Sequence, residues 1–144
     1  MLSFPWPWAD ESVAEIHMSQ VMEHFTQLDR VKIVNEMYRV MQKGASALVT
    51  TPYWCSNRAY GDFTHQWPPV SEFWFYYLNK KWRSTEAPDN DIEWNPDGYS
   101  CDFEATWGYS LHPELQTKNQ ERQTYAIQFL KDSVFDIIAT LKKI

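Results

Sequence analysis

The stretch VNEMYRVMQKGASALVTTP, residues 34–52, decides the fold class of this chain. Its apolar residues recur at the spacing of one helix face, and they are Val34, Met37, Tyr38 and Met41. Lys43 and Gly44 are typical of a helix C-terminus, because a cation favours the negative end of a helix and glycine adopts the left-handed cap. Residues 45–52 then predict a buried strand. The stretch therefore indicates a helix that ends at Lys43-Gly44 and a strand that follows it.

Outward from this stretch, the chain alternates strands and helices. Residues 13–19 predict a short strand, residues 21–25 predict a helical turn, and Thr26 offers a capping side chain for the next helix. The later predicted elements are a long aromatic loop over 53–83 with a helix at 71–79, a polar loop over 84–100, a strand over 101–111, a helix over 119–131 and a final strand over 134–142. This order predicts a mixed α/β sheet of about four strands.

The length and composition are those of one folded domain over residues 1–144. The net charge is −6 and the basic residues are scattered, which argues against nucleic acid as a partner. The longest apolar runs are far shorter than the ~20 residues of a membrane span, so no membrane insertion is expected. Cys55 and Cys101 do not form a Cys-x-x-Cys pair, and they predict reduced thiols in a cytoplasmic protein.

Glycine is scarce, and no two glycines stand close together. The four are Gly44, Gly61, Gly98 and Gly108. A nucleotide-binding loop of the Gly-x-Gly type needs neighbouring glycines, because its backbone N–H groups approach the ligand where a Cβ would stand in the way. The sequence therefore excludes such a loop within these 144 residues.

Several of these segments together resemble the class I S-adenosylmethionine (SAM)-dependent methyltransferases. The resemblance rests on the strand at 13–19, the Glu23-His24 turn, the helix and strand over 34–52, and the segment RAYGDFTHQWPP over 58–69. The last segment is similar to the Asp-x-x-His segment that forms part of the lid over the acceptor substrate in many of these enzymes. A longer form of this segment, which runs from Tyr60 to Pro69 and is followed by FYYLN over 75–79, is similar to small methyltransferase-like proteins of phages and marine microbes.

The resemblance implies that the chain corresponds to the C-terminal half of the family domain. Residues 13–19 and 45–52 would be the fourth and fifth strands of the family sheet, and the final strand would be its antiparallel seventh. The expected fold is a partial Rossmann-like methyltransferase sheet of about four strands with flanking helices, lacking the N-terminal SAM-binding half. The first strand is then expected at an open edge of the sheet.

Three residues are the candidates for catalysis. The resemblance makes His65 a general base for an acceptor hydroxyl or amine, and it makes Glu23 and His24 a wall of the active cleft. Each has a structural alternative: His65 would anchor its loop to the backbone, and Glu23-His24 would form the first turn of a helix. His17, in a predicted strand, and His112, before a proline, are expected to be structural.

The cofactor and substrate contacts are implied by the same resemblance. Ser19 and Gln20 would be what remains of the SAM-binding wall, while Tyr60, Asp62 and Trp67 would face the methyl acceptor. The aromatic cluster over 53–82 is either a stacking platform or the packed core of a lid. The four histidines and two cysteines lack metal-ligand spacing, so no metal site is predicted.

Two functions remain open. The first is a SAM-dependent methyltransferase that is inactive alone and is completed by another chain carrying the glycine-rich loop. The second is a non-enzymatic binding or structural protein built on a degenerate methyltransferase half and encoded by a phage. A homodimer is also expected, through the open strand edge or the aromatic arm at residues 1–8, although that arm could instead fold back on its own sheet.

Overall fold

The computed structural model describes residues 3–144. Its sheet contains β1 (Val13–Ser19), β2 (Met41–Pro52), β3 (Phe103–Leu111) and β4 (Val134–Lys143) in the spatial order β1-β2-β4-β3. The helices are α1 (Gln27–Val40), α2 (Arg58–Gly61), α3 (Glu72–Tyr77), α4 (Lys80–Glu86), α5 (Pro113–Gln116) and α6 (Gln120–Phe129), with short 3-10 helices at Met22–His24 and Pro88–Asn90. The predicted α/β class and four-stranded sheet are confirmed.

Strand directions follow from the connections. β1 and β2 are parallel because α1 carries the chain back between them. β4 lies between β2 and β3 and is antiparallel to both. The expectations of an antiparallel last strand and of β1 at an edge are therefore confirmed.

The core lies on one face of the sheet. Alternate residues of β2 and β4 that point to this face are fully buried, and they are Ala47, Val49, Ile137, Ala139 and Leu141. Helix α1 covers them with Ile33, Val34 and Met37. On the opposite face, Leu48 and Ile138 keep 37% and 39% of their surface exposed. The sheet is thus packed on one side and open at these positions on the other.

The predicted end of α1 at Lys43-Gly44 is wrong. The helix ends at Val40, and Met41 is already extended and fully buried in β2, paired with Val13. Burial of Met41 in the sheet therefore outweighs the local end signal. Gly44 has a φ of +79° and lies where the register between β1 and β2 shifts, so its left-handed freedom serves a strand irregularity rather than a helix cap.

Two later predictions also need correction. Helix α4 occupies residues expected to be loop, because the Asn79 side chain accepts from the backbone N–H of Trp82 and begins a new helix there. Helix α6 turns less of its apolar surface inward than its composition suggested: Tyr125 and Phe129 stay 50% and 66% exposed. These two residues are one helical turn apart from each other but not from Ile127, so the apolar residues do not share one face.

The aromatic arm folds back on its own chain; Met1 and Leu2 lie outside the described residues. The backbone N–H of Trp6 donates to Glu36 Oε2 at 2.8 Å. Arg39 donates to the carbonyl oxygens of Trp6 and Trp8. Phe4 and Trp6 pack against the core as half-buried rings. This is the arrangement that the sequence left as the alternative to a dimer contact.

A buried arginine organises the segment between α3 and β3. Arg83 is 1% exposed and pairs with the Asp91 carboxylate at 3.0 Å. It also donates to the backbone carbonyl oxygens of Tyr77, Tyr99 and Cys101. The guanidinium therefore joins α4 to the backbone on both sides of it, while Tyr99 and Cys101 bury their side chains in the core.

We expect Arg83→Ala to lower the free energy of unfolding by about 3–5 kcal/mol, because it leaves the Asp91 carboxylate buried without its partner. Urea denaturation measures this loss. The control is Lys80→Ala, which removes the exposed ion pair with Glu93 and should cost less than about 1 kcal/mol. Equal losses in the two variants would contradict the assigned role of Arg83.

Candidate functional site

The candidate site lies at the carboxyl ends of β1 and β2. Since these strands are parallel, their carboxyl ends meet at one edge of the sheet, which is where open α/β sheets bind ligands. Ser19 and Gln20 are exposed there. Gln20 has a φ of +56°, and its side-chain amide donates to Asp136 Oδ1 at 3.1 Å. A non-glycine residue in this conformation carries a local strain cost.

The 3-10 helix that follows places two of the predicted catalytic residues. Glu23 is 5% exposed, and its Oε2 accepts from the Thr51 hydroxyl of β2 at 3.1 Å. His24 is exposed. The short helix therefore turns a carboxylate toward the sheet and an imidazole toward the solvent side of the same edge.

His65 reaches the same place from the loop after α2. The backbone N–H of Gln66 donates to the Glu23 carbonyl at 2.7 Å, which ties this loop to the 3-10 helix. The rings of His24 and His65 lie 4.8 Å apart between centroids. The ligand atoms of Glu23, His24 and His65 all lie within 4.8 Å of one another. The structure thus brings together the three residues that the sequence proposed for catalysis.

A buried arginine holds this arrangement. Arg30 of α1 is 2% exposed and donates to three backbone carbonyl oxygens, those of Met22, Gln66 and Pro68. One guanidinium thereby joins α1, the 3-10 helix and the His65 loop. Burial lowers the pKa of Arg30, and the nearby Glu23 carboxylate opposes that shift.

Asp62 and Thr64 orient the two histidines. The Thr64 hydroxyl donates to Asp62 Oδ1 at 2.6 Å, and its backbone N–H donates to the same oxygen at 2.8 Å. These two bonds lower the pKa of Asp62. The Thr64 oxygen also lies 2.9 Å from His24 Nδ1, and Asp62 Oδ2 lies 3.8 Å from His65 Nε2.

His65 is more enclosed than a loop histidine is expected to be. Its side chain is 11% exposed, and its Nδ1 is a buried nitrogen that has no hydrogen-bond partner among the described residues. An unpartnered buried polar atom is uncommon in folded proteins. The structural alternative, in which His65 is bonded to the backbone, therefore does not account for this nitrogen.

The proposed acceptor contacts are less concentrated. Asp62 and His65 line an open cleft of about 540 Å³ together with Gln20, Arg58 and Phe63. Trp67 is 77% exposed and is not among the cleft residues. The Tyr60 hydroxyl donates a hydrogen bond to the Trp54 carbonyl oxygen at 2.8 Å, so only the Tyr60 ring is left to contact a ligand.

Sequence reasoning missed the residues that support the site. They are Arg30, Thr51, Arg58, Thr64 and Asp136. Arg58 and Thr64 stand in the segment over 58–69 that carries His65 and were within reach of the sequence argument. Arg30, Thr51 and Asp136 come from separate elements, and no local pattern links them to the histidines.

The described residues do not build a complete SAM site. Gly44 and Gly108 lie in strands, Gly61 ends α2, and Gly98 packs against the Asn90 backbone. No two of these four glycines are neighbours in the chain, so they do not form a glycine-rich loop.

We expect Arg30→Lys to loosen the loop that carries His65, because an ammonium group does not reproduce the fork that reaches three carbonyl oxygens. The Gln66 amide should exchange its hydrogen faster, and the free energy of unfolding should fall by about 1–3 kcal/mol. Hydrogen exchange and urea denaturation measure these effects. The control is Lys32→Arg on the exposed side of α1; unchanged exchange at Gln66 in Arg30→Lys would refute the link.

Comparisons with known proteins support the fold. No family profile and no curated protein matches the chain. Among solved structures, it is similar to a SAM-dependent methyltransferase from Archaeoglobus fulgidus, with a TM-score of 0.62 and 15% identity over 94% of this chain. The chain spans 62% of that structure's length. At this identity the likeness establishes the fold alone.

A second structure, of a proposed methyltransferase from Bacillus halodurans C-125, aligns with 96% of this chain and 72% of its own at 16% identity. Its TM-score of 0.41 is too low to support an argument. The membrane question has a separate answer: no helix in residues 3–144 is long and apolar enough to cross a bilayer. The likeness to the Archaeoglobus fulgidus structure, over 94% of this chain, shows that the chain has a methyltransferase-like α/β fold.

Proposed function

We propose that this chain is the acceptor-side half of a SAM-dependent methyltransferase and that it works when another polypeptide supplies the glycine-rich loop. The observation that carries the proposal is the convergence of Glu23, His24 and His65 at the carboxyl edge of two parallel strands. This is the edge at which open α/β sheets bind their ligands. The fold likeness to the Archaeoglobus fulgidus methyltransferase supports the same reaction class.

His65 is the residue proposed to take the proton from the methyl acceptor. Its side chain is 11% exposed and lines the open cleft, where it could take a proton from a bound hydroxyl or amine. Asp62, 3.8 Å from Nε2, would stabilise the imidazolium that forms. Glu23 and His24 complete the wall of the cleft.

The acceptor would enter past the exposed end of the loop. Asp62 and Phe63 line the cleft, and Phe63 is 97% exposed. Trp67 and the ring of Tyr60 stand nearby in sequence and supply further flat apolar surface. Such rings suit an acceptor with a planar or apolar part.

A non-enzymatic role for a phage-encoded, cytoplasmic protein is the second candidate. It is favoured by the lack of neighbouring glycines in the sequence and by the strongly exposed aromatic rings of Phe63, Trp67 and Trp94, which suit a binding surface. In that case the site residues would serve structure or ligand binding without methyl transfer.

The proposal predicts that the isolated chain binds SAM weakly or not at all. The chain lacks a glycine-rich loop and, by its resemblance to the family, also the acidic residue that holds the ribose hydroxyls of SAM. Their absence removes several hydrogen bonds, each worth about 1.5–3 kcal/mol where a charged group takes part. Loss of two such bonds weakens binding about 100-fold or more. Titration calorimetry with SAM measures this, and tight binding with adenosine as a competitor would contradict it.

The complementing chain is tested by co-expression. The product of the neighbouring upstream reading frame, where it encodes a strand followed by Gly-x-Gly-x-Gly, should co-purify with this chain and restore SAM binding. A neighbouring product that co-purifies but leaves SAM unbound would reject the two-chain methyltransferase in favour of the binding protein.

In the completed complex, we expect His65→Ala to lower methyl-transfer turnover about 100-fold or more, the usual contribution of a general base. Because the imidazole is largely enclosed, His65→Gln is the better-matched variant for separating chemistry from packing. His17→Gln, on exposed β1, is the control. Unchanged turnover in both His65 variants would make His65 a structural residue.

A homodimer is the remaining part of the proposal. β1 is an open edge, and the neighbouring open face exposes Leu48 and Ile138. Pairing of two such edges would satisfy free backbone groups and cover this surface.

Light scattering at micromolar concentration should therefore give about twice the chain mass of 17.2 kDa. A mass equal to that of one chain would refute the dimer. Deletion of residues 1–8 should cause aggregation, because the arm lines a cleft with Val13, Ile16 and Met18 and its loss exposes them.

A further inference from the structure

We propose that Glu23, His24 and His65 bind one divalent first-row transition-metal ion. The sequence predicts no metal site, because these residues lack local ligand spacing. The structure brings one carboxylate and two imidazoles together, with ligand atoms within 4.8 Å of one another. Two histidines and one carboxylate form a ligand set that proteins use for zinc and for non-haem iron.

The tautomer of His24 is set for metal binding. The Thr64 hydroxyl gives its hydrogen to Asp62 Oδ1 at 2.6 Å, so its oxygen is left to accept from His24 Nδ1 at 2.9 Å. With the hydrogen on Nδ1, the lone pair of His24 lies on Nε2. A ligating histidine commonly donates its other ring N–H in this way to a fixed partner.

His65 is arranged in the complementary sense. Its Nε2 lies 3.8 Å from Asp62 Oδ2, which is longer than a hydrogen bond, but the negative carboxylate still favours the hydrogen on that nitrogen electrostatically. Its Nδ1 is then a lone-pair donor, and this buried atom has no partner among the described residues. One carboxylate, Asp62, thus orients both imidazoles, through Thr64 in one case and directly in the other.

Glu23 supplies the negative charge. Its carboxylate is buried and accepts one hydrogen bond from the neutral Thr51 hydroxyl. Arg30 lies close enough to interact with it electrostatically, but the guanidinium donates its hydrogen bonds to backbone carbonyl oxygens. A bound cation would compensate the buried carboxylate directly.

Binding an ion requires the three ligand atoms to move closer together. Ligand atoms 2.0–2.2 Å from a tetrahedral ion lie about 3.4 Å from one another, whereas the ligand atoms of Glu23, His24 and His65 lie within 4.8 Å of one another. His24 is exposed and His65 sits on a loop, so small side-chain rotations supply the difference. Arg30 and the Gln66 amide hold the two backbones in place meanwhile.

The donor atoms select the class of ion. Imidazole nitrogen suits zinc, cobalt, iron and nickel, whereas magnesium prefers oxygen ligands and keeps its waters. Three protein ligands leave at least one coordination position for water or a ligand. His24 is exposed, so solvent would reach the ion from the side of this ligand.

This inference does not depend on methyl transfer. It does exclude one assignment, because an imidazole that binds an ion does not also act as the general base proposed for His65. Metal binding without SAM binding, and SAM-dependent turnover without metal binding, are therefore distinguishable results.

The test is titration of the metal-free chain with Co²⁺, followed by calorimetry and by the visible absorption of the bound ion. We expect one Co²⁺ per chain, displaced by Zn²⁺ and not by Mg²⁺, with no thiolate charge-transfer band. Glu23→Gln, His24→Ala and His65→Ala should each weaken binding by about 100-fold or more. Asp62→Asn should weaken it about 10–100-fold, as loss of an orienting partner does.

The matched control is His17→Ala, which removes an exposed histidine next to Glu15 and should leave Co²⁺ binding unchanged. Glu23→Gln keeps the shape of the side chain and an oxygen for Thr51, and circular dichroism verifies its fold. Absence of Co²⁺ binding, equal binding in His65→Ala and the parent chain, loss of binding in His17→Ala, or a thiolate band would each overturn the proposal.

Discussion

The buried guanidinium of Arg30 is the interaction on which the candidate site depends. It donates to carbonyl oxygens of Met22, Gln66 and Pro68, which belong to the 3-10 helix after β1 and to the loop after α2. Irregular backbone of this kind cannot satisfy its own carbonyl groups, and burying them unpaired would cost free energy. One arginine on α1 satisfies three, and this brings His65 next to Glu23. The site is therefore held by hydrogen bonds from the Arg30 side chain to backbone carbonyl oxygens rather than by packing of the catalytic side chains.

The same device appears in the segment between α3 and β3. Arg83 is buried, pairs with Asp91 and donates to three further carbonyl oxygens. In both places the hydrogen bonds of a buried arginine stabilise irregular backbone, whereas apolar side chains stabilise the packing of α1 on the sheet. The dependence is asymmetric: the sheet is covered by α1 whether or not these loops are ordered, whereas the loops need the sheet and α1 to bury their arginines. Local opening should therefore begin in the loops, including the one that carries His65.

The one-sided core explains how a methyltransferase-like sheet exists with these four strands. Ala47, Val49 and Leu141 face the helices, while Leu48 and Ile138 face away and stay partly exposed. Antiparallel pairing of β4 with both neighbours suits this arrangement, since antiparallel sheets commonly face water on one side. Only β1 and β2 are parallel, and the candidate site lies at their shared carboxyl edge.

The sequence by itself determined most of the order of strands and helices, the apolar face of α1 and the lack of a glycine-rich loop. These properties follow from side-chain periodicity and from backbone freedom, which are local. Only the tertiary structure decided that α1 stops at Val40, because the burial of Met41 in the sheet outweighs the end signal at Gly44. It also decided that Glu23 and His65 meet, and that Asp62 orients two imidazoles. Those contacts join segments far apart in the chain, and their energy comes from a shared buried arginine and from strand pairing that no local pattern encodes.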